Sequence, residues 1–289
     1  MTSVPHPDHD RGLGFDLSTL LSRRRTLGLF LGAGAAAALS ACTPGTTGTG
    51  GSTGPATGGT GGQAPGTAGP TPAVTRALAD CGVEIPDETA GPFPGDGSNG
   101  PDVLEASGVV RRDITSSFGA SSTVAGGVPL AFTLTLLDNS KGCRPLAGAA
   151  VYAWHCDRDG RYSLYDPGLE NENFLRGVQE ADGNGHVSFA TMFPGAYNGR
   201  WPHIHFEVFG SLKHAAAAGR VLKVSQLALA EAACREVYAT AGYETSRRNF
   251  PRTALAQDNV FGDDGGIHQL ATMSGSAAKG YTASLNVTI

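Results

Sequence analysis

Residues Pro194-Gly195-Ala196-Tyr197-Asn198-Gly199-Arg200-Trp201-Pro202-His203-Ile204-His205-Phe206 carry one phenol, one guanidinium and two imidazoles, and they run on into Glu207-Val208-Phe209. The alternation from His203 onward predicts a strand. On a strand residues i and i+2 project from one face, so both imidazoles can reach a single ion. The Asn198-Gly199 turn lets the chain fold back and bring the Tyr197 oxygen toward the same point.

Alone, a His-x-His pair on a strand is more often only the polar face of a sheet or a satisfied pair. A second tyrosine changes the balance. Val151-Tyr152-Ala153-Trp154-His155-Cys156 alternates like a strand, and Asp157-Arg158-Asp159-Gly160-Arg161-Tyr162 turns out of it, which puts Tyr162 on a loop at a sheet end, where sites concentrate. Zinc favours Cys, His and carboxylate, and calcium and magnesium favour carboxylate and carbonyl oxygens. Phenolate is a hard anionic donor, so two tyrosines with two histidines point to ferric iron. A free phenol has a pKa near ~10, but a directly bound cation keeps it deprotonated.

With these pieces in order, the stretch from 148 to 210 resembles the catalytic core of the intradiol ring-cleavage dioxygenases, the family of protocatechuate 3,4-dioxygenase and catechol 1,2-dioxygenase. Pro145 to Trp154 resembles the strand entering the site, Gly160-Arg161-Tyr162 the first tyrosinate, Pro194 to Tyr197 the second, and Arg200 to Phe206 the histidine pair. Glu88-Thr89-Ala90-Gly91-Pro92-Phe93-Pro94 and Ser225-Gln226-Leu227 also resemble family segments, so the likeness covers most of residues 80 to 265.

The resemblance implies a non-haem Fe(III) centre held by Tyr162, Tyr197, His203 and His205. It implies an oxidoreductase that cleaves a catechol-type ring between its two hydroxyl-bearing carbons, incorporating both atoms of O2 and giving a muconate-type diacid. Tyr197 would be the ligand that leaves when the diol arrives, acting as a base. Arg200 would lie over the substrate ring, where a fixed cation stabilises developing negative charge. Gln226 would help orient the substrate. Tyr165, close to Tyr162, is expected to line the pocket instead. His155, His186, His214 and His268 fall outside the pattern and read as structural or exposed. The acidic stretches at Asp157 and Asp263 lack calcium-loop spacing and read as turns.

The N-terminus reads as an export signal. Ser22-Arg23-Arg24-Arg25-Thr26-Leu27 precedes a Gly/Ala-rich apolar stretch, and Leu39-Ser40-Ala41-Cys42 resembles a lipoprotein cleavage box. Cleavage would make residues 1–41 a twin-arginine signal and leave Cys42 as a lipidated N-terminus, the only membrane link expected. The expected location is therefore the outer face of the cytoplasmic membrane. Residues 43 to 74 hold only Thr, Pro, Gly, Ser, Ala, Gln and Val and read as a flexible tether with a mean span on the order of 30 Å. Residues 75–289 then form one catalytic domain, for which an oligomer is left open.

The full chain carries 21 Lys and Arg against 26 Asp and Glu, and cleavage removes four arginines and three aspartates, shifting the balance from −5 to −6. No basic footprint for nucleic acid remains. Cys81, Cys143, Cys156 and Cys234 suit an oxidising compartment and allow three full pairings; Cys81 with Cys143 and Cys156 with Cys234 is the one expected.

Val128 to Leu137, Ala149 to His155, His186 to Met192, Ile204 to Phe209 and Tyr281 to Ile289 read as strands, Asp182-Gly183-Asn184-Gly185 as a hairpin turn, and Leu229 to Thr240 as a helix. The fold class is all-β, a sandwich of the intradiol dioxygenase type with little helix. Signal and linker occupy the space that catechol-type members give to a helical dimerisation region, which favours a protocatechuate-like core. Two other classes remain: a non-catalytic β-sandwich that binds extracytoplasmic ligands, and a zinc or copper enzyme built on the histidine pair.

Overall fold

The computed structural model describes residues 83–217 and 219–289. The export signal, Cys42, the tether and Cys81 lie outside the described residues. Among the described residues nine strands form two sheets. One contains β1 (Pro129–Asp138), the short β2 (Arg144–Pro145), β5 (His186–Met192), β8 (Thr272–Ser276) and β9 (Gly280–Thr288). In it β1 pairs antiparallel with β2 and β5 and parallel with β9, which in turn pairs antiparallel with β8. The other runs in the order β4 (Arg176–Glu180), β3 (Ala150–Trp154), β6 (His203–Phe209), β7 (Val221–Ala228), all antiparallel.

Period-two patterning explains how the sheets meet. Leu130, Phe132, Leu134 and Leu136 of β1 and Tyr281, Ala283, Leu285 and Val287 of β9 are buried at alternate positions. They face Val151 and Ala153 of β3 and Ile204, Phe206 and Val208 of β6 in one continuous core. Phe132 and Phe189, opposite each other in register, stack with centroids 5.0 Å apart. Each such side chain contributes roughly 1.5–3 kcal/mol of burial. The five strands expected from the sequence and the helix at Glu231–Tyr238 are present within a residue or two of their expected bounds.

The four-stranded sheet is buried on both faces, and its second face carries the chemistry. All seven residues of β6 are buried. Ile204, Phe206 and Val208 point to the core, so His203, His205 and Glu207 point the other way, into a second packed layer. That layer contains Ala90, Phe93, Val103 and Leu104 from the segment before β1, together with Tyr152, Trp154 and Tyr162.

Two expectations are corrected. The turn at Asp182 to Gly185 is not a hairpin between paired strands: β4 before it and β5 after it belong to different sheets, so it hands the chain across the sandwich. Cys156 and Cys234 do not pair. Both are buried free thiols, Cys156 packed with the outer layer and Cys234 in the core between the sheets. Cys143 is disulfide-bonded. Among the described residues no helix is long and apolar enough to cross a membrane.

Candidate metal centre

The strand β6 fixes the first two donors. The Nε2 atoms of His203 and His205 are 3.0 Å apart, and the Tyr197 hydroxyl is 3.1 Å from His203 Nε2. The Tyr162 ring lies edge-on to both Tyr197 and His205, with centroids 6.0 and 6.4 Å away. All four residues expected to hold iron therefore meet at one point on the outer face of the sheet.

Each is held from behind. His203 Nδ1 lies against the carbonyl of Trp201, so the hydrogen-bond network assigns the ring proton to Nδ1 and leaves the Nε2 lone pair facing the cluster. A ligating histidine that gives its other N–H to a carbonyl is the usual support of a metal ligand. His205 lies flat on Trp154, centroids 4.9 Å apart and planes 4° apart. Its Nδ1 is buried without a hydrogen-bond partner among the described residues.

The Tyr162 loop is pinned by two charged side chains. Its backbone N–H donates to Asp166 Oδ2 at 2.6 Å, and the fully buried Arg176 donates to both the Oγ and the carbonyl of Ser163. Tyr197 is set by its own neighbour: Ala196 donates its N–H to Ser246 Oγ and accepts at its carbonyl from Asn249 Nδ2.

Two glycines mark close approach. Gly91 and Gly160 have φ of +70° and +84°; a Cβ at Gly91 would sit 3.2 Å from His205 Cε1, and one at Gly160 would sit 3.0 Å from Tyr197 Cβ. Both backbone segments must pass this close for the site to be walled.

The electrostatics suit neutral imidazoles and a cation. Burial, then the Arg200 guanidinium, lowers His203 to about 3. Burial, then His203, holds His205 well below the usual histidine range. Burial, with Tyr197 next, pushes the Tyr162 phenol well above its usual value. A bound trivalent cation reverses that preference and holds the phenolate. Two imidazole nitrogens aimed at each other beside two phenols form a donor set that a hard, Lewis-acidic cation fits, so these residues are compatible with ferric iron.

Arg200 and Gln226 are also brought to the site, as a pair. Arg200 Nη2 donates to Gln226 Oε1 at 2.7 Å, and Gln226 Nε2 donates to the Thr89 carbonyl at 2.9 Å. Gln226 lies opposite His205 in the sheet register. Both ends of its amide are thus engaged with protein, and its evident work is to hold Arg200 and the Thr89 segment. Tyr165 packs on Phe93, which packs on Tyr162; its hydroxyl accepts from the Gly95 N–H and donates to Asn99, so it buttresses the wall of the site. His155 is buried between the Cys156 carbonyl and the Thr191 hydroxyl and lies apart from the donor set.

Sequence reading missed Asp258. This carboxylate is 5 % exposed and accepts from Arg200 Nε at 3.0 Å. It lies 58 residues beyond Arg200 in a turn-rich stretch with no local signature. The Trp154 support of His205 was readable in principle, because strand alternation puts Trp154 on the side-chain face opposite Ala153.

Residues 100–218 match the family model described as Dioxygenase_C, Dioxygenase, a span that includes Tyr162, Tyr197, Arg200, His203 and His205. The chain is 38% identical over 91 residues to catechol 1,2-dioxygenase 1 of Acinetobacter lwoffii, covering 31% of this chain and 26% of that protein. It is 32% identical over 71 residues to chlorocatechol 1,2-dioxygenase of Rhodococcus opacus, covering 25% of this chain and 27% of that protein. The matched stretches thus span about a quarter of these two relatives. Among solved structures, the intradiol ring-cleavage dioxygenase from Tetranychus urticae superposes with a TM-score of 0.53 at 28% identity, covering 63% of this chain and 86% of that one.

Proposed function

We propose that the chain, which matches a dioxygenase family model over residues 100–218 and resembles intradiol ring-cleavage dioxygenases, is a member of that family, a non-haem ferric dioxygenase that opens a catechol-type ring between its two hydroxyl-bearing carbons with O2, giving a muconate-type diacid. The observation that carries the reading is the convergence of Tyr162, Tyr197, His203 and His205 at one buried point with Arg200 beside them.

Ferric iron at these four side chains would supply a Lewis acid for both oxygens of the diol. The protein's own groups do the rest. The Trp201 carbonyl keeps His203 in the tautomer that presents Nε2. Tyr162 is 1 % exposed and locked in its loop, which suits a permanent ligand. Tyr197 is half-buried, with exposed Asn198 and Gly199 after it, which suits a phenolate that swings aside and takes a proton from the incoming diol. Arg200, buried and fixed at two of its nitrogens, is a preorganised positive charge for the negative charge that grows on the ring. The packed outer layer keeps bulk water away and strengthens each of these interactions.

Loading with ferric iron tests the reading directly. A red-brown tyrosinate charge-transfer colour, with O2 uptake on at least one member of a panel of catechol, protocatechuate, hydroxyquinol and larger lignin-type catechols, is expected. A colourless iron-loaded protein sinks it.

The same proposal takes residues 1–41 as an export signal and Cys42 as the lipid-bearing residue. The support is the Arg23-Arg24-Arg25 run, the apolar stretch after it and the Leu39-Ser40-Ala41-Cys42 box. In cell fractionation, Cys42→Ser is expected to move the protein out of the membrane fraction; an unchanged distribution counts against lipidation.

A further inference from the structure

We infer that Asp258 is a positioning residue of this centre, a single carboxylate that fixes the Arg200 guanidinium and the backbone from which His203 takes its tautomer. The inference deepens the ring-cleavage reading and rests on it for its kinetic arm.

Both carboxylate oxygens are fully used. Oδ2 accepts from Arg200 Nε at 3.0 Å and from the Trp201 backbone N–H at 2.6 Å. Oδ1 accepts from the backbone N–H groups of Val260 at 2.8 Å and Phe261 at 3.2 Å. These contacts lead to the site along three routes. Arg200, restrained at Nε by Asp258, reaches Gln226 with Nη2, so the two partners fix the guanidinium plane. Trp201, tied to Asp258 at its N–H, offers from the peptide that follows the carbonyl that meets Nδ1 of His203, two residues further on. The turn closed on Oδ1 carries Phe261, whose ring packs edge-on to His203 at 6.4 Å.

The arrangement is more than charge pairing. A buried arginine needs a partner, but any nearby carboxylate would serve for that, and a buried pair is by itself weak evidence for stability. Asp258 instead holds the side chain of Arg200 and the peptide of Trp201 with the same oxygen, so the position of the cation and the aim of the imidazole are set together.

The test uses the full chain. In metal-free protein, phenylglyoxal labelling read by peptide mass spectrometry should leave Arg200, 6 % exposed, protected in the wild type and label it in Asp258→Asn. In iron-loaded protein, Asp258→Asn should keep the charge-transfer colour and hold KM within about twofold while kcat falls about tenfold or more, as expected when a positioned group loosens. The neutral pair Arg200→Gln/Asp258→Asn guards against a single variant that fails to fold around an unpaired charge. Its kcat should equal that of Arg200→Gln within about threefold, because the two residues act as one unit. Protection of Arg200 in Asp258→Asn, or a pair whose losses multiply, overturns the inference. Absence of turnover in the wild type on every catechol would overturn the ring-cleavage reading, and the labelling result would still decide the role of Asp258.

Discussion

The indole of Trp154 lies parallel beneath the imidazole of His205, 4° from coplanar, on strands that pair these two residues in register. The ring of His205 is therefore backed by a flat surface, and its Nδ1 has no hydrogen-bond partner among the described residues. The Trp154 Nε1 likewise has none, so this tryptophan is kept for its area.

Replacing Trp154 with Leu should remove that surface and leave a gap in the outer layer, at a cost of roughly 2–4 kcal/mol. His205 would then sample other orientations, so chelator-driven release of iron should speed up. A release rate equal to wild type would show that the stack does not aim the ring.

Tyr162→Phe and His205→Ala should each lose iron and colour, because each deletes a donor that nothing nearby can replace. Arg200→Ala should keep both and lower kcat about a hundredfold, the usual cost of removing one preorganised charge. Iron content by elemental analysis and O2 uptake separate the two outcomes.

Gly91 and Gly168 both have positive φ, +70° and +82°, but only Gly91 has a neighbour within reach of an added methyl group. Alanine at Gly168 should cost only the backbone strain, about 1 kcal/mol. Alanine at Gly91 should cost the same in thermal stability and in addition push on His205, weakening iron retention. Equal retention in the two variants would show that the Gly91 approach is not a wall of the site.

Glu88 gives a pH signature. Burial raises its carboxyl from 4.5 to about 7, opposed by the Gln269 hydrogen bond and aided by Asp263. Because the folded value is the higher one, its contribution is fully present below about pH 4.5 and is lost as the pH rises through about 7. Solvent screening limits the effect to on the order of 1 kcal/mol. The stability difference between wild type and Glu88→Gln should shift in favour of the variant between pH 5 and 8; a constant difference contradicts the raised value.

Local chemistry was legible in the sequence. The two-residue spacing of His203 and His205 and the turn before Tyr162 are statements about neighbouring residues, and the folded chain keeps them. Tertiary placement was less so. The turn at Asp182 to Gly185 has hairpin composition, but its flanking strands are claimed by different partners, and only the assembled sandwich decides that. Cys156 and Cys234 satisfy the arithmetic of pairing yet lie in separate packed layers. Asp258 was invisible because nothing near it in sequence states its use; its partners toward the site, Trp201 and Arg200, are 57 and 58 residues away.

The outer layer has one more implication, for where this protein can be cut. The family match begins at residue 100, yet Thr89 bonds Gln226, Gly91 abuts His205, and the Pro94 carbonyl accepts from both Tyr152 and Arg176. A chain trimmed on its N-terminal side to residue 100 would retain β1 to β9 while leaving the candidate metal centre without a roof. The segment before residue 100 also places Ile85 in the main core and bonds its N–H to Thr288, so it serves the fold as well as the candidate site.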